Sequence, residues 1–241
     1  MNRMLVIAHG VFKELIRRKD FYLIFALLLV IMFYCAFVSF GGERGFQRYF
    51  KEVVISLAYI FSVIIGVTFA SRQIPQEIES KTIYPLLAHP ISRGEFVIGK
   101  FLGVFFITAA SFTLFYAAFI ISLLIRRDTY TLPLLLAEGY ILHLCLISFF
   151  VSLAIFFSLF LSVATNTVVT LILYFGTNWF STTLPAYVFL PHPELFDIKE
   201  KIIHTHDIVP AWAIGFLIMY SLLYTSIFLI STGVVFRRRN L

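Results

Sequence analysis

The sequence predicts an all-α membrane protein: a single membrane domain over residues 1–241 with six transmembrane helices and an amphipathic helix before the first. Three observations carry that reading. Apolar residues make up 60% of the chain and charged residues only 13%, which leaves too little polar surface to coat a soluble globule of 241 residues. Apolar runs of roughly 20 residues, the length that crosses a hydrocarbon core, recur along the whole chain. One long polar segment, 77–103, stands between such runs.

Taken in order, residues 1–19 place Met4, Leu5, Ala8, Val11, Phe12, Leu15 and Ile16 against Arg3, His9, Lys13, Arg17 and Arg18. Spacings of three and four put these on opposite faces of a helix, an elbow expected to lie flat at the membrane interface. The stretch lacks the short charged tip, apolar region and small-residue cleavage site of a signal peptide, so the first span is expected to remain. Spans follow at 21–40, 53–71, 93–125, 139–163, 168–190 and 209–236, the last two less uniform because of Asn178, Pro185 and Gly215. No convincing internal repeat is present.

Six spans bring both termini to one face. That face carries twelve Lys and Arg, including the juxtamembrane clusters Arg17, Arg18, Lys19 and Arg237, Arg238, Arg239, against seven on the other. The bias of cationic residues toward the cytoplasm therefore puts both termini inside a multi-pass protein of the cytoplasmic (inner) membrane. The net charge of +6 describes a membrane face attracted to anionic lipid, and with no soluble basic domain a nucleic-acid partner is excluded. Cys35 and Cys145 sit inside apolar runs without paired spacing and read as packing residues.

The polar segment begins in the cytoplasmic loop 72–92. Pro75 is suited to the first turn of a short helix, with Glu77 and Glu79 near its positive end. Ile74, Ile78, Ile83, Leu86 and Leu87 would give that helix an apolar side until Pro85 and Pro90 interrupt it. Ser92 and Glu95 then form an S-x-x-E capping box that starts the next helix at Arg93 and runs it through Lys100 into the third span. The ordered residues Glu77 and Glu79, Thr82 and Ile83, Leu86 and Leu87, Pro90, Ile91, Ser92 and Arg93, then Gly99 and Lys100 resemble the first cytoplasmic loop of type-2 ABC export permeases. The similarity is greatest to the branch that includes the permease of the nitrous oxide reductase maturation system. It departs at Ser80 and Lys81, where many members have Gly, and at His89.

The resemblance implies that this loop forms a coupling helix seated in a groove of a separate cytoplasmic ABC ATPase subunit. It also implies a second permease copy, a homodimer being the simplest case, and ATP and Mg bound by the partner with no cofactor in this chain. In that reading Glu77, Glu79 and Arg93 fix register and Ile78, Ile83 and Leu86 dock. Within the sequence itself, 94–100 (GEFVIGK) imitates the opening of a phosphate-binding loop, but Phe101 follows where Ser or Thr is needed and the interior residues are bulky. The expectation is a transport subunit, not an enzyme.

Polar groups within spans are costly and mark pathways. Glu138 and His143, near the outer start of the fourth span, and Asn178 in the fifth are the pathway candidates. Their ordinary readings are interface positions reached by water for the first two and interhelical hydrogen bonding for the third. Asn166, Thr165 and Thr167 read as a tight turn. The outer loop 191–208 gathers His192, His204, His206 and Asp207 among other donors, a set able in principle to hold a divalent metal but without zinc spacing; as a lid on the membrane it needs none. Three rival functions stand beside ABC-coupled export or extraction. A mechanotransmitting permease would act on an outer accessory protein, an ion-coupled carrier would work alone, and a membrane enzyme would need a catalytic motif that the chain lacks.

Overall fold

A computed structural model describes residues 3–38, 44–79, 92–125, 132–183, 192–205 and 208–238. Seven α-helices carry them: α1 (Arg3–Ile16), α2 (Lys19–Val38), α3 (Arg44–Glu79), α4 (Arg93–Ile125), α5 (Pro133–Phe157), α6 (Val163–Thr183) and α7 (Ala211–Arg238). A 3-10 turn (Pro193–Phe196) and a π turn (Lys201–Thr205) lie between α6 and α7, and no strand occurs among the described residues. Four helices are long and apolar enough to cross a membrane, at Tyr49–Glu79, Arg93–Ile125, Pro133–Phe157 and Ala211–Arg237, and Val163–Gly176 is a shorter apolar helix. α2, of 20 residues, covers the predicted first span through Val38.

The third span begins and ends where its capping box and apolar run place it. The second differs. α3 continues as one helix through Pro75 to Glu79, so no new helix starts at Pro75. A proline inside a helix removes one backbone hydrogen bond, and packing holds this one in line: Ile74 is fully buried and Ile78 lies against the same core. The fourth span is shifted toward the N-terminus. Pro133 occupies the first turn of α5, whose tolerance for a missing N–H suits it, and the helix ends at Phe157 before a turn at 158–162. α6 accordingly starts at Val163, five residues before the predicted 168.

The core is formed mainly by α3, α4 and α5, with Val54, Ala58, Phe69, Phe112, Phe119, Phe150 and Ala154 almost wholly enclosed. α7 packs chiefly on α5, yet much of it faces outward, as Trp212, Phe216, Met219 and Ile230 do. Such a face belongs in lipid. The bundle has two distinct ends. At the elbow end lie α1, the last turns of α3 and α7 and the first turns of α4, joined by the contacts below. At the loop end lie the start of α3, the start of α5 and segment 192–205.

α1 is amphipathic as its periodicity predicts, but its apolar face is seated on the protein: Ala8, Val11 and Leu15 are buried, while Leu5 and Val6 stay exposed. The surface that receives it is α4, made shallow by two glycines one turn apart. A Cβ on Gly99 would fall 2.8 Å from Ile7 Cβ, and one on Gly103 would fall 2.5 Å from Val11 Cβ and 2.9 Å from the Ala8 carbonyl oxygen. Small residues four apart let helix backbones approach closely.

Candidate functional site: the elbow-end junction and the buried polar cluster

Ser92 and Glu95 cap α4 reciprocally. Glu95 N–H donates to Ser92 Oγ at 3.2 Å, and Ser92 N–H donates to a Glu95 carboxylate oxygen at 2.8 Å. The box satisfies two amides at the helix start through contacts within the first turn. One and a half turns later, Lys100 donates to Glu77 at 2.5 Å, tying α4 to the last turn of α3. Both side chains are largely buried, and the Lys100 ammonium also lies 5.6 Å from the Phe96 ring centroid.

Arg93 turns toward α7. Its Nη1 donates to the carbonyl oxygens of Phe236 at 2.7 Å and Arg237 at 3.1 Å. Its guanidinium carbon lies 5.6 Å from the Phe236 ring, which stacks on Phe96 at 5.9 Å. The last carbonyls of a helix lack intrahelical donors and carry the negative end of its dipole, so a guanidinium is well matched to them. A third tie comes from Arg18, which donates to Gln76 on α3 and to Glu14 on α1.

The predicted coupling residues thus separate into groups. Glu77, Lys100 and Arg93 converge on one junction, Gly99 faces α1, and Glu79 is exposed at the end of α3. Ile78, expected to dock on a partner, packs against this chain's own core. Thr82, Ile83, Leu86, Leu87 and Pro90 lie outside the described residues. Sequence reasoning did not pair Glu77 with Lys100 or assign Arg93 to α7, because those partners are 23 and 143 residues apart.

Glu138 and His143, expected at water-reached interface positions, are both buried. Five residues apart on α5, they meet different neighbours. Glu138 accepts the Val209 N–H at 3.1 Å, just before α7. His143 is hydrogen-bonded through Nε2 to Ser62 Oγ at 2.7 Å, stacks on Tyr59 at 3.8 Å between ring centroids and meets Phe112 in a tilted contact at 4.4 Å. Ser62 Oγ also lies 2.8 Å from the Tyr59 carbonyl oxygen, and His143 Nδ1 has no hydrogen-bond partner among the described residues. Tyr59 OH in turn donates to the Gly139 carbonyl at 3.2 Å. Asn178 lies in α6, its side chain outside the described residues.

Asn166 is a clamp between two helices rather than a turn residue. Its amide donates to the Ala154 carbonyl at 2.8 Å and its Oδ1 accepts from Thr170 at 3.1 Å, while Thr167 and Ser71 hydroxyls meet at 2.8 Å across α6 and α3. The turn polar group is Ser162, whose Oγ accepts the Thr165 N–H at 3.4 Å.

At the loop end, His192 N–H donates to Tyr220 OH at 2.9 Å, and its ring Nδ1 lies 3.2 Å from Glu194. Lys199 pairs with Asp197 at 2.8 Å. Among the described residues no three His, Cys, Asp or Glu side chains converge as a metal site. The His204 side chain, His206 and Asp207 lie outside those residues. Beneath the segment are two adjoining cavities, a deeper one of about 110 Å³ and an outer one of about 450 Å³.

The comparisons with known proteins agree with this architecture. No curated protein matches the chain. The model of the family described as ABC-2 family transporter protein matches residues 12–181, a span that holds α2 to α5, nearly all of α6, both partners of the Glu77–Lys100 pair and the Tyr59, Ser62 and His143 cluster. With well over half of its length matched, this multi-pass membrane chain belongs to the ABC-2 transporter family, as a permease subunit of the transport machinery.

Proposed function

We propose that this chain is the membrane-spanning permease of an ABC transporter that couples ATP hydrolysis by a separate cytoplasmic ATPase to export or extraction of a substrate. The observation that carries the reading is the elbow-end junction. The helices flanking 80–91 are tied to each other by Glu77 and Lys100, and α4 is tied to α7 by Arg93. A push delivered at that segment would reach three helices as one body, which is how a coupling element transmits motion. In this reading α2 to α7 are the six spans, the elbow end is cytoplasmic in the inner membrane, and segment 80–91 docks on the ATPase with Glu79 at its edge. The permease pairs with a second copy of itself, and ATP and Mg are held by the partner. The loop residues further favour the branch of the nitrous oxide reductase maturation permeases.

Co-purification of the tagged chain from its native membrane, with mass spectrometry and an ATPase assay, tests the proposal. A stoichiometric ATPase that is lost when Glu79, Thr82, Leu86 and Pro90 are replaced together supports it. Isolation with no ATPase, or retention of the ATPase by that variant, counts against it.

A further inference from the structure

The two cavities at the loop end adjoin at three shared wall residues, Glu194, Asp197 and Lys199, as an inner and an outer stage. The inner stage is aromatic and aliphatic, with Tyr59 of α3, Leu146 and Phe150 of α5 and Tyr174 of α6 along its sides. The outer stage adds Glu52, Ser56 and Glu200. Its four carboxylates face a single lining ammonium, that of Lys199, so the entrance is acidic and the interior apolar. The outer stage has about 450 Å³ and the inner one about 110 Å³, so the apolar body that enters the inner stage is small, a single ring or a short alkyl chain.

Lys199 shows what such a space accepts. Its ammonium is paired with Asp197 at 2.8 Å and lies 5.7 Å from the centroid of the Tyr59 ring. A carboxylate on one side and an aromatic face on the other is the environment that stabilises an organic cation. The geometry points to a binding site for lipophilic monovalent organic cations, in which Lys199 holds the cation position until a ligand displaces it. The ligand's charge takes the place of the ammonium between Asp197 and Tyr59, and its apolar body enters between Leu146, Phe150 and Tyr174. Lys199 sits on segment 192–205, between the 3-10 and π turns, so its displacement frees a side chain of a connecting segment rather than of a packed span.

The probe is benzyltrimethylammonium, whose single ring suits the inner stage, titrated into the purified full chain in detergent, with benzenesulfonate as a control of similar size and opposite charge. Saturable binding of the cation is expected, with the anion bound at least about tenfold more weakly, a difference of about 1.4 kcal/mol. Lys199→Ala should tighten the cation severalfold, whereas Asp197→Asn and Tyr59→Leu should weaken it. Glu52→Gln with Glu200→Gln changes only exposed rim groups and should weaken the cation while preserving the size-exclusion profile. Equal binding of both ions, or an affinity unmoved by Lys199→Ala and by the rim double variant, would overturn the assignment. Binding is read on the permease alone, so the presence or absence of an ATPase partner leaves either outcome intact.

Discussion

The Lys100 ammonium and the Glu77 carboxylate meet at 2.5 Å across the gap between α4 and α3, in a setting where neither is well exposed to solvent. Removing one partner leaves the other's charge buried, a loss of about 3 kcal/mol. Glu77→Gln and Lys100→Met should each lower the thermal unfolding midpoint in detergent. The double variant should lose less than the sum of the two, and additive losses in that cycle would show that the two groups do not interact.

Arg93 offers a separate test, because its guanidinium reaches two carbonyl acceptors through Nη1 while it lies over the Phe236 ring. Arg93→Lys keeps the charge but not the geometry. Spin labels at Ile98 and Val234 should report a single narrow distance in the parent and a broadened distribution in Arg93→Lys and Arg93→Ala. An unchanged distribution in both would mean that Phe96 and Phe236 stacking suffices to hold α7.

At Gly103 the space for a side chain is absent. The added methyl of Gly103→Ala would press on Val11 and on the Ala8 backbone, and overpacking of this kind costs about 1–3 kcal/mol. The expected result is displacement of α1, seen as faster proteolysis after Lys13 and Arg17. Gly10, where a methyl meets nothing within 4 Å, is the control, and Gly10→Ala should leave the cleavage rate unchanged.

The His143 cluster predicts a reversal of sign. Ser62→Ala takes away the hydrogen-bond partner of His143 Nε2 in a fully enclosed site and should cost about 1–3 kcal/mol. Adding His143→Phe removes the stranded polar ring and keeps the aromatic contacts with Tyr59 and Phe112, so the double variant should recover much of the loss. Thermal midpoints that fall further in the double variant would show that His143 is held by something other than Ser62.

Much of this was legible in the residues. Ser92 and Glu95 are three apart and cap α4 through local hydrogen bonds, and α1 needs only its three-and-four spacing. Apolar length likewise identified where helices run. Boundaries were less legible where a local signal competed with packing. Pro75 reads as a helix start, yet buried Ile74 and neighbouring Ile78 carry α3 past it, and Glu138 reads as an interface residue until the Val209 amide is found beside it.

By itself, the sequence determined the solvent this protein folds in and the helical class, because those follow from composition and from contacts within a turn or two. Only the tertiary structure decided what the charged residues do. Arg93 caps α7, Lys100 holds Glu77, Gly99 and Gly103 admit α1, and Lys199 lies over Tyr59. Each of these depends on which helix lies beside which. In a low-dielectric interior a charge is stable only with a partner in place, and the partners here are brought together by helix packing over long stretches of chain.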